Sequence, residues 1–405
     1  MAIKIAFLLL LTAHFLFGLY KHRLSVQQRR QPLPDNVRDV FDTDEYARWQ
    51  AYQMETDRAR QWRSAASFVL LFVLLAINAH AWISGFLPDD PFWGGFLLLL
   101  IDALIALPVQ VYFDNLINLK IENKYGFNRM DRKTFVTDEV KQFAVQLVIT
   151  GVLLLLFVKL HQWLGIWSFV ALFIALAGLV VLISTFSMTL SKLFNKFVPL
   201  EEGTLRTQLE ELFHKYGYTV RNIYVVDASK RTTKPNAYCF GLGKKKEIAL
   251  EDNLVNRYTE DEITAVFAHE LAHFHHRDTM KMALMNTAQM LPIALMLILL
   301  VSAPSILQAF GFAGLHYGMA MILMEVLAAP LSTLAMIPIS KAMRAYEYRA
   351  DAFAASNGYG KDIISALKQM NRDHLSDLNP HPLIVKWEYT HPTLSQRIAH
   401  IERQG

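Results

Sequence analysis

Long runs of apolar residues alternate with polar segments through the first half of the chain and return between residues 282 and 338. A membrane-spanning helix needs about 20 predominantly apolar residues. Runs close to this length cover residues 3–20, 65–84, 93–113, 143–160, 167–189, 282–303 and 317–338. The pattern therefore predicts a multi-pass, all-α membrane protein with seven transmembrane helices.

The same pattern divides the chain into four parts. Residues 1–190 are predicted to form an N-terminal membrane region with five transmembrane helices, and residues 282–338 the sixth and seventh. Residues 191–281 and 339–405 have the polar composition of soluble segments. We expect these two segments to form one α+β domain outside the bilayer, interrupted in sequence by the last two membrane helices.

The first soluble segment opens with an amphipathic pattern. Apolar residues at helical spacing predict a helix that ends near Gly217, and N-I-Y-V-V after it predicts a strand. The apolar residues of that helix are Leu205, Leu209, Leu212 and Phe213. A second amphipathic helix is predicted around Ile363 and Leu367, and T-H-P-T-L-S-Q-R-I-A-H-I introduces a last one.

Two β-prone runs around Gly241 and Gly243 predict a hairpin. Its first strand would contain Asn236, Ala237 and Tyr238. As an exposed edge strand it could bind an extended peptide through backbone hydrogen bonds. The alternative is an ordinary hairpin with K-K-K as its solvated tip, and the pattern leaves both interpretations open.

Lysine and arginine predict the orientation in the membrane. The connections at 84–91, 161–166 and 304–316 carry neither residue, whereas the connections between them are basic. Because basic connections stay in the cytoplasm, the N-terminus is expected outside and the C-terminus in the cytoplasm. If the source is bacterial, the membrane is the inner one.

The residues with the clearest chemistry lie at Thr259–Asp278, where His269, Glu270 and His273 form H-E-x-x-H on a predicted helix. Positions four apart lie about 40° apart around a helix, so both imidazoles can reach one metal ion. This spacing is typical of zinc, with the glutamate placed as general base. The single cysteine, Cys239, excludes a cysteine-based zinc site and an intramolecular disulfide.

A bare H-E-x-x-H also arises by chance, so the prediction depends on a third ligand. Glu347 is the best candidate, because Asp351 lies four residues later and could accept the N–H of a ligand histidine. The alternative for Glu347 is a surface acid paired with Arg344 or Arg349. The other candidates after the motif are His275, His276, Asp278, Glu325 and C-terminal histidines.

Two spans separate His273 from Glu347, so a shared metal ion would lie close to the membrane surface and its substrate would be membrane-associated. His391 and Arg397 are candidate donors to an oxyanion, or else serve as helix-capping or surface residues. Polar residues inside the spans indicate either a hydrated chamber or a transport pathway. They are His14, Asn78, His80, Asp102 and Glu325, and no catalytic role is assigned to them.

Several short motifs together resemble the type I CAAX prenyl endopeptidases, which are integral-membrane zinc metalloproteases. The motifs are I-E-N-K-Y-G-F-N-R at 121–129, N-A-Y at 236–238, H-E-L-A-H at 269–273, R-A-Y-E-Y-R-A-D at 344–351 and H-P-T-L-S-Q-R-I at 391–398. The family often has Ser before the arginine at 344, where this chain has Met343. The resemblance extends over nearly the whole chain.

The resemblance implies a seven-helix barrel around a water-filled chamber, with a cytoplasmic zincin-like metalloprotease domain. It implies one zinc ion, ligands His269, His273 and Glu347, Glu270 as base, and Asp351 as support for a ligand histidine. Asn236, His391 and Arg397 would contact the substrate or transition state.

The expected function is therefore zinc-assisted hydrolysis of peptide bonds in a lipidated or membrane-associated protein, as in removal of the C-terminal tripeptide from prenylated proteins. The expected partners are this substrate and membrane lipids, without nucleic acid. Two alternatives remain: an HtpX-like quality-control protease of membrane proteins, and a transporter or receptor whose zinc is structural. A structural zinc has no need of Glu270.

Overall fold

The computed structural model of the chain describes all residues except 127–130, 172, 176, 179–195, 229–235, 241–242, 374 and 405. The chain forms two compact units, each assembled from segments that are distant in sequence. The first unit comprises Met1–Val26, Asp44–Leu176 and Gln289–Ala335. The second comprises Gln27–Thr43, Ala177–Ala288 and Met336–Gly405.

The N-terminal half of the described chain is helical. Its α-helices are α1 (Ala2–Gln28), α2 (Thr43–Ala76), α3 (Ala79–Ser84), α4 (Pro91–Asp114), α5 (Asn123–Tyr125) and α6 (Arg132–Leu164). A π-helical segment, Asn115–Glu122, joins α4 to α5. Asp90 caps α4 by accepting hydrogen bonds from the backbone N–H groups of Phe92 and Trp93.

The C-terminal half combines a small sheet with further helices. The strands are β1 (Phe197–Pro199), β2 (Thr219–Val226), β3 (Ala237–Phe240) and β4 (Lys245–Glu251). The helices before the last long one are α7 (Thr204–Lys215), α8 (Asp252–Arg257), α9 (Glu260–His275), α10 (Asp278–Ser302) and α11 (Pro304–Gln308). The rest are α12 (Tyr317–Ala354), α13 (Gly360–Asp373), α14 (Pro382–Glu388) and α15 (Leu394–Ile401), with a π-helical segment, Ala355–Tyr359, after α12.

Among the described residues, five helical stretches are long and apolar enough to cross a membrane. They are Ala2–Gln28, Pro91–Tyr125, Arg132–Ala171, Asp278–Ser302 and Tyr317–Asp373. These stretches coincide with five of the predicted runs. The predicted run 167–189 lies largely outside the described residues.

The predicted run 65–84 differs from the structure because its helix is interrupted. α2 ends at Ala76, and Asn78 has a left-handed backbone with φ of 57° before α3 begins. Asparagine tolerates this conformation better than most residues. Lys4 Nζ donates a hydrogen bond to Asn78 Oδ1 at 2.9 Å, which holds the side chain at the break.

The apolar core of the first unit is built by its long helices. Leu98 of α4, Leu154 of α6 and Phe310 are almost completely buried. Glycines bring α4 and α12 together, since a Cβ atom at Gly318 would lie 2.5 Å from the carbonyl oxygen of Gly95. Side chains at either glycine would force these helices apart.

The second unit contains the four-stranded sheet, in the order β1-β2-β4-β3. β2 and β4 are parallel, whereas β1 and β3 are antiparallel to their neighbours. β3 is therefore an edge strand and forms the predicted hairpin with β4. α7 buries the four apolar residues that predicted it, and β2 contains N-I-Y-V-V, so both of these predictions are confirmed.

Candidate metal centre

The H-E-x-x-H motif lies on α9, whose start is defined by a capping box. Thr259 Oγ1 accepts the backbone N–H of Glu262, and the Glu262 carboxylate accepts the backbone N–H of Thr259. Ile263, Phe267 and Leu271 bury the apolar face of the helix. α9 is thereby anchored along its length, and the two motif histidines project from it one turn apart.

Three side chains bring ligand atoms together on this helix and α12. His269 Nε2 lies 3.3 Å from His273 Nε2, and each nitrogen lies 3.4 Å from a carboxylate oxygen of Glu347. Ligands about 2.0–2.2 Å from a tetrahedral zinc ion lie about 3.3–3.6 Å from one another. The contacts between neighbouring donors therefore match the ligand-to-ligand distances of a zinc site, with His269 Nε2 next to Glu347 Oε2 and His273 Nε2 next to Oε1. We call these three residues the donor triangle.

The surroundings of this triangle favour a positive charge. Burial opposes a charged ring at His269, yet its hydrogen bond to Asp351 and the adjacent Glu347 carboxylate raise the pKa of the imidazole to about 9. Glu347 Oε2 is buried and accepts no hydrogen bond from the described residues. A bound cation would satisfy this orphaned oxygen, so the donor set fits the predicted metal ion.

Asp351 lies where the sequence predicted a partner for a ligand histidine. Its Oδ1 atom is 3.0 Å from His269 Nδ1, and its side chain is completely buried. Arg397 donates two hydrogen bonds to the same carboxylate, from Nε to Oδ2 at 2.9 Å and from Nη2 to Oδ1 at 2.6 Å. Asp351 thus holds the ring with Nε2 facing the other two donors.

Arg397 is also part of the charge balance of the site. Burial opposes its charge, but Asp351, Glu347 and Glu270 raise the pKa of the guanidinium above its ordinary value. Its Nη1 atom lies 3.6 Å from Glu347 Oε2. The guanidinium is therefore bound by carboxylates, a contact that the sequence motif alone did not predict.

The predicted general base, Glu270, is half-buried next to His269.

His391 faces the same glutamate from the segment before α15. Its Nε2 atom is 3.4 Å from Glu347 Oε1, and 60% of its side chain is exposed. Thr390 Oγ1 lies 3.0 Å from Nδ1 of the same ring. A hydrogen bond donated by the hydroxyl leaves the ring proton on Nε2, the atom that faces the site.

The structure also pairs the second histidine, His273, with Asp278, for which the sequence indicates only a possible role as third ligand. Asp278 Oδ2 lies 3.4 Å from His273 Nδ1, on the side of the ring away from the donor triangle. Its position, five residues after the histidine and at the start of the next helix, is the signal that could have revealed it.

The three residues predicted to bind substrate lie at the edge of the sheet. Ala237 and Tyr238 begin β3, and the carbonyl oxygen of Asn236 accepts the N–H of Glu251. The Asn236 amide donates to the Tyr238 hydroxyl, which donates to Glu251, both at 2.9 Å. Burial and the bond to Glu251 raise the pKa of Tyr238 to about 12, so the hydroxyl stays protonated.

None of the polar residues of the predicted spans contributes to the donor triangle. His80 Nε2 lies 2.7 Å from Asp102 Oδ1, so these two form their own pair. Glu325 is exposed and His14 half-buried.

Comparisons with known proteins agree with this geometry. The profile of peptidase family M48 matches residues 199–404, and the profile described as "CAAX prenyl protease N-terminal, five membrane helices" matches residues 22–196. CAAX prenyl protease 1 of Saccharomyces cerevisiae is 31% identical over 84% of this chain and 77% of its own length. A probable CAAX prenyl protease 1 of Schizosaccharomyces pombe is 34% identical over 76% of this chain and 64% of its own.

A solved structure is similar over its whole length. The crystal structure of S. mikatae Ste24p covers 99% of this chain and 99% of its own, with a TM-score of 0.85 and 25% sequence identity.

Proposed function

Since the chain belongs to peptidase family M48, and is thus a membrane metalloendopeptidase, we propose that it removes the C-terminal tripeptide from prenylated proteins with one zinc ion. The observation that carries this proposal is the donor triangle of His269, His273 and Glu347, in which each pair of residues brings two donor atoms to within 3.3 or 3.4 Å of each other. The named relatives are prenyl proteases, which supports the substrate class.

The protein's own residues divide the work of peptide hydrolysis. Zinc, when bound, supplies a Lewis acid and makes water a nucleophile at neutral pH. Glu270 is the general base: its carboxylate takes a proton from the attacking water and passes it to the nitrogen of the leaving amine. Asp351 keeps the His269 ring oriented through the hydrogen bond at Nδ1.

His391 is the proposed donor to the oxyanion. Partial desolvation lowers the pKa of the His391 ring, Arg397 lowers it further, and Glu347 acts in the opposite direction. The ring is therefore neutral at neutral pH. With Thr390 bonded to Nδ1, the Nε2–H group can donate to negative charge that develops on the substrate carbonyl. The positive charge of Arg397, which is bound to carboxylates of the site, would stabilise the same negative charge on the substrate oxygen.

The substrate peptide is proposed to lie along β3. An edge strand offers free backbone groups, and an added strand can pair with it whatever its sequence. Asn236, Ala237 and Tyr238 would contact the peptide there. This arrangement explains how a protease reads a short C-terminal segment mainly through its backbone.

The proximity of the metal centre to two apolar helices along the chain supports a site near the bilayer. α10 begins five residues after His273, and Glu347 lies nine residues beyond the apolar run that ends at 338 on α12. At 1.5 Å per residue, nine residues of helix span about 14 Å. A prenyl group in the bilayer and a scissile bond at the metal ion are therefore compatible.

We propose in addition the finer architecture that is expected from the sequence. Residues 1–190 and 282–338 would supply seven spans around a chamber, and 191–281 with 339–405 the cytoplasmic zincin-like domain. The N-terminus would lie outside and the C-terminus in the cytoplasm, and if the source is bacterial the membrane would be the inner one. Membrane lipids would surround the spans.

The test is cleavage of a farnesylated C-a-a-X peptide by the detergent-purified protein, with and without a zinc chelator. We expect Glu270→Gln to retain zinc and lose turnover by at least about 10²-fold, the lower end for general-base catalysis. Glu260→Gln, an exposed acid on the same helix, is the matched control and should keep full activity.

Chelator-resistant cleavage, or a Glu270→Gln protein that cleaves at the normal rate, would refute the mechanism. A zinc-loaded protein that cleaves only unmodified membrane proteins would favour the HtpX-like alternative. One that cleaves neither substrate would favour a structural zinc in a transporter or receptor.

A further inference from the structure

We infer that Asp278 is a positioning residue that holds His273 in its metal-facing orientation, an inference that rests on the metal centre proposed above. The carboxylate oxygen Oδ2 lies 3.4 Å from His273 Nδ1. The opposite ring nitrogen, Nε2, is the one that faces His269 and Glu347. An acceptor at Nδ1 fixes both the tautomer and the plane of a ligand imidazole.

The backbone between the two residues explains why Asp278 reaches the ring. If α9 continued, residue 278 would be rotated about 140° around the helix from residue 273. Instead α9 ends at His275, and Arg277 adopts a left-handed backbone with φ of 56°. Non-glycine residues adopt this conformation at a cost. This break in the helix places Asp278 at the start of α10, from where its carboxylate reaches His273.

Other side chains hold the Asp278 carboxylate in place. Its Oδ1 atom accepts a hydrogen bond from Arg349 Nη2 and lies 3.3 Å from Lys281 Nζ. The side chain is only 1% exposed. Two cations therefore compensate a buried charge on one oxygen and leave the other for the histidine.

Arg349, which holds Asp278, lies on α12, the helix that also carries the third donor, Glu347. The pattern repeats what surrounds the other histidine, where Arg397 holds Asp351 and Asp351 holds His269. Each ligand histidine thus has its own carboxylate, and each carboxylate its own arginine.

A purely structural role for Asp278 is the competing explanation. An acid in the first turn of a helix stabilises it through the helix dipole, and Asp278 is the first residue of α10. The two roles differ in what a neighbouring acid can replace. An acid moved to the next residue would still stabilise the helix through its dipole, but it would lose the contact with the His273 ring.

The experiment compares zinc affinity in the full-length, detergent-solubilised protein, measured by competition with a chromophoric chelator. Asp278→Ala should lower the affinity about 10-fold, the low end of the 10–100-fold range for lost ligand support. Asp278→Asn keeps an oxygen acceptor and should recover most of the loss. Cobalt bound in place of zinc should show a changed visible spectrum in Asp278→Ala.

Two matched controls separate positioning from stability. The double variant Asp278→Ala, Thr279→Asp restores an acid to the first turn at an exposed position and should not restore affinity. Lys281→Met removes the more exposed of the two cations but leaves Arg349 on the carboxylate, so it should lower zinc affinity less than Asp278→Ala does. Thermal unfolding confirms that each variant is folded.

Unchanged zinc affinity in folded Asp278→Ala and Asp278→Asn, or full restoration by Thr279→Asp, would overturn the inference while the metal centre stands. A wild-type protein that binds no zinc would overturn the metal centre and this inference together.

Discussion

The two histidines of the candidate metal centre are supported by similar groups in different surroundings. His269, Asp351 and Arg397 form what we call the His269 arm. Its histidine-to-carboxylate distance is 3.0 Å, the carboxylate is completely buried, and the arginine donates to both carboxylate oxygens. This arm has little freedom to move without breaking several bonds at once.

His273, Asp278 and Arg349 form the His273 arm, which is looser. The corresponding distance is 3.4 Å, the arginine donates to one oxygen, and its side chain remains 38% exposed. The comparison teaches that burial and a two-point arginine contact, rather than the mere presence of a carboxylate, determine how rigidly a ligand ring is held.

The largest expected effect comes from Asp351→Ala. Removing this carboxylate leaves the buried Arg397 without the acid to which it donates two hydrogen bonds, and breaking a buried ion pair costs about 3–5 kcal/mol. We expect a loss of this size in the free energy of unfolding, measured by denaturant titration, with a larger loss of zinc affinity than in Asp278→Ala. Equal losses in the two variants would show that the arms do not differ.

A smaller effect is expected from replacing each arginine with lysine. An ammonium group cannot reproduce the two-point contact of Arg397, so Arg397→Lys should lower stability by about 1.5–3 kcal/mol, the value of a charged hydrogen bond. Arg349→Lys keeps one donor near Asp278 and should cost less. Unfolding and zinc-competition measurements on the two variants check this expectation. A larger loss of stability in Arg349→Lys than in Arg397→Lys would contradict it.

The smallest effect should come from Thr259→Ala, which removes the capping box of α9. Loss of an N-cap costs about 1 kcal/mol, and both histidines lie on the same helix. We expect slightly lower stability with zinc affinity almost unchanged, whereas Thr259→Ser should resemble the wild type. A selective loss of zinc affinity would mean that the helix start, and not the two arms, positions the ligands.

Local features were predictable because they depend on short-range periodicity. The α9 capping box, the amphipathic α7 and the β3–β4 hairpin all follow from residues within a few positions of one another. Five of the apolar runs also coincide with long apolar helices. The break at Asn78 was not predicted, since a single left-handed residue leaves hydrophobic periodicity unchanged.

The chemistry of the metal centre was likewise predictable from the sequence only in part. Residue types and spacing alone establish the paired imidazoles of His269 and His273 and the adjacent Glu270, because one helical turn relates them. The contact with Glu347, the engagement of Arg397 by Asp351, and the return of Asp278 to His273 require folding. These contacts join residues on different helices or depend on the left-handed backbone of Arg277. No local sequence pattern encodes which buried charges will pair.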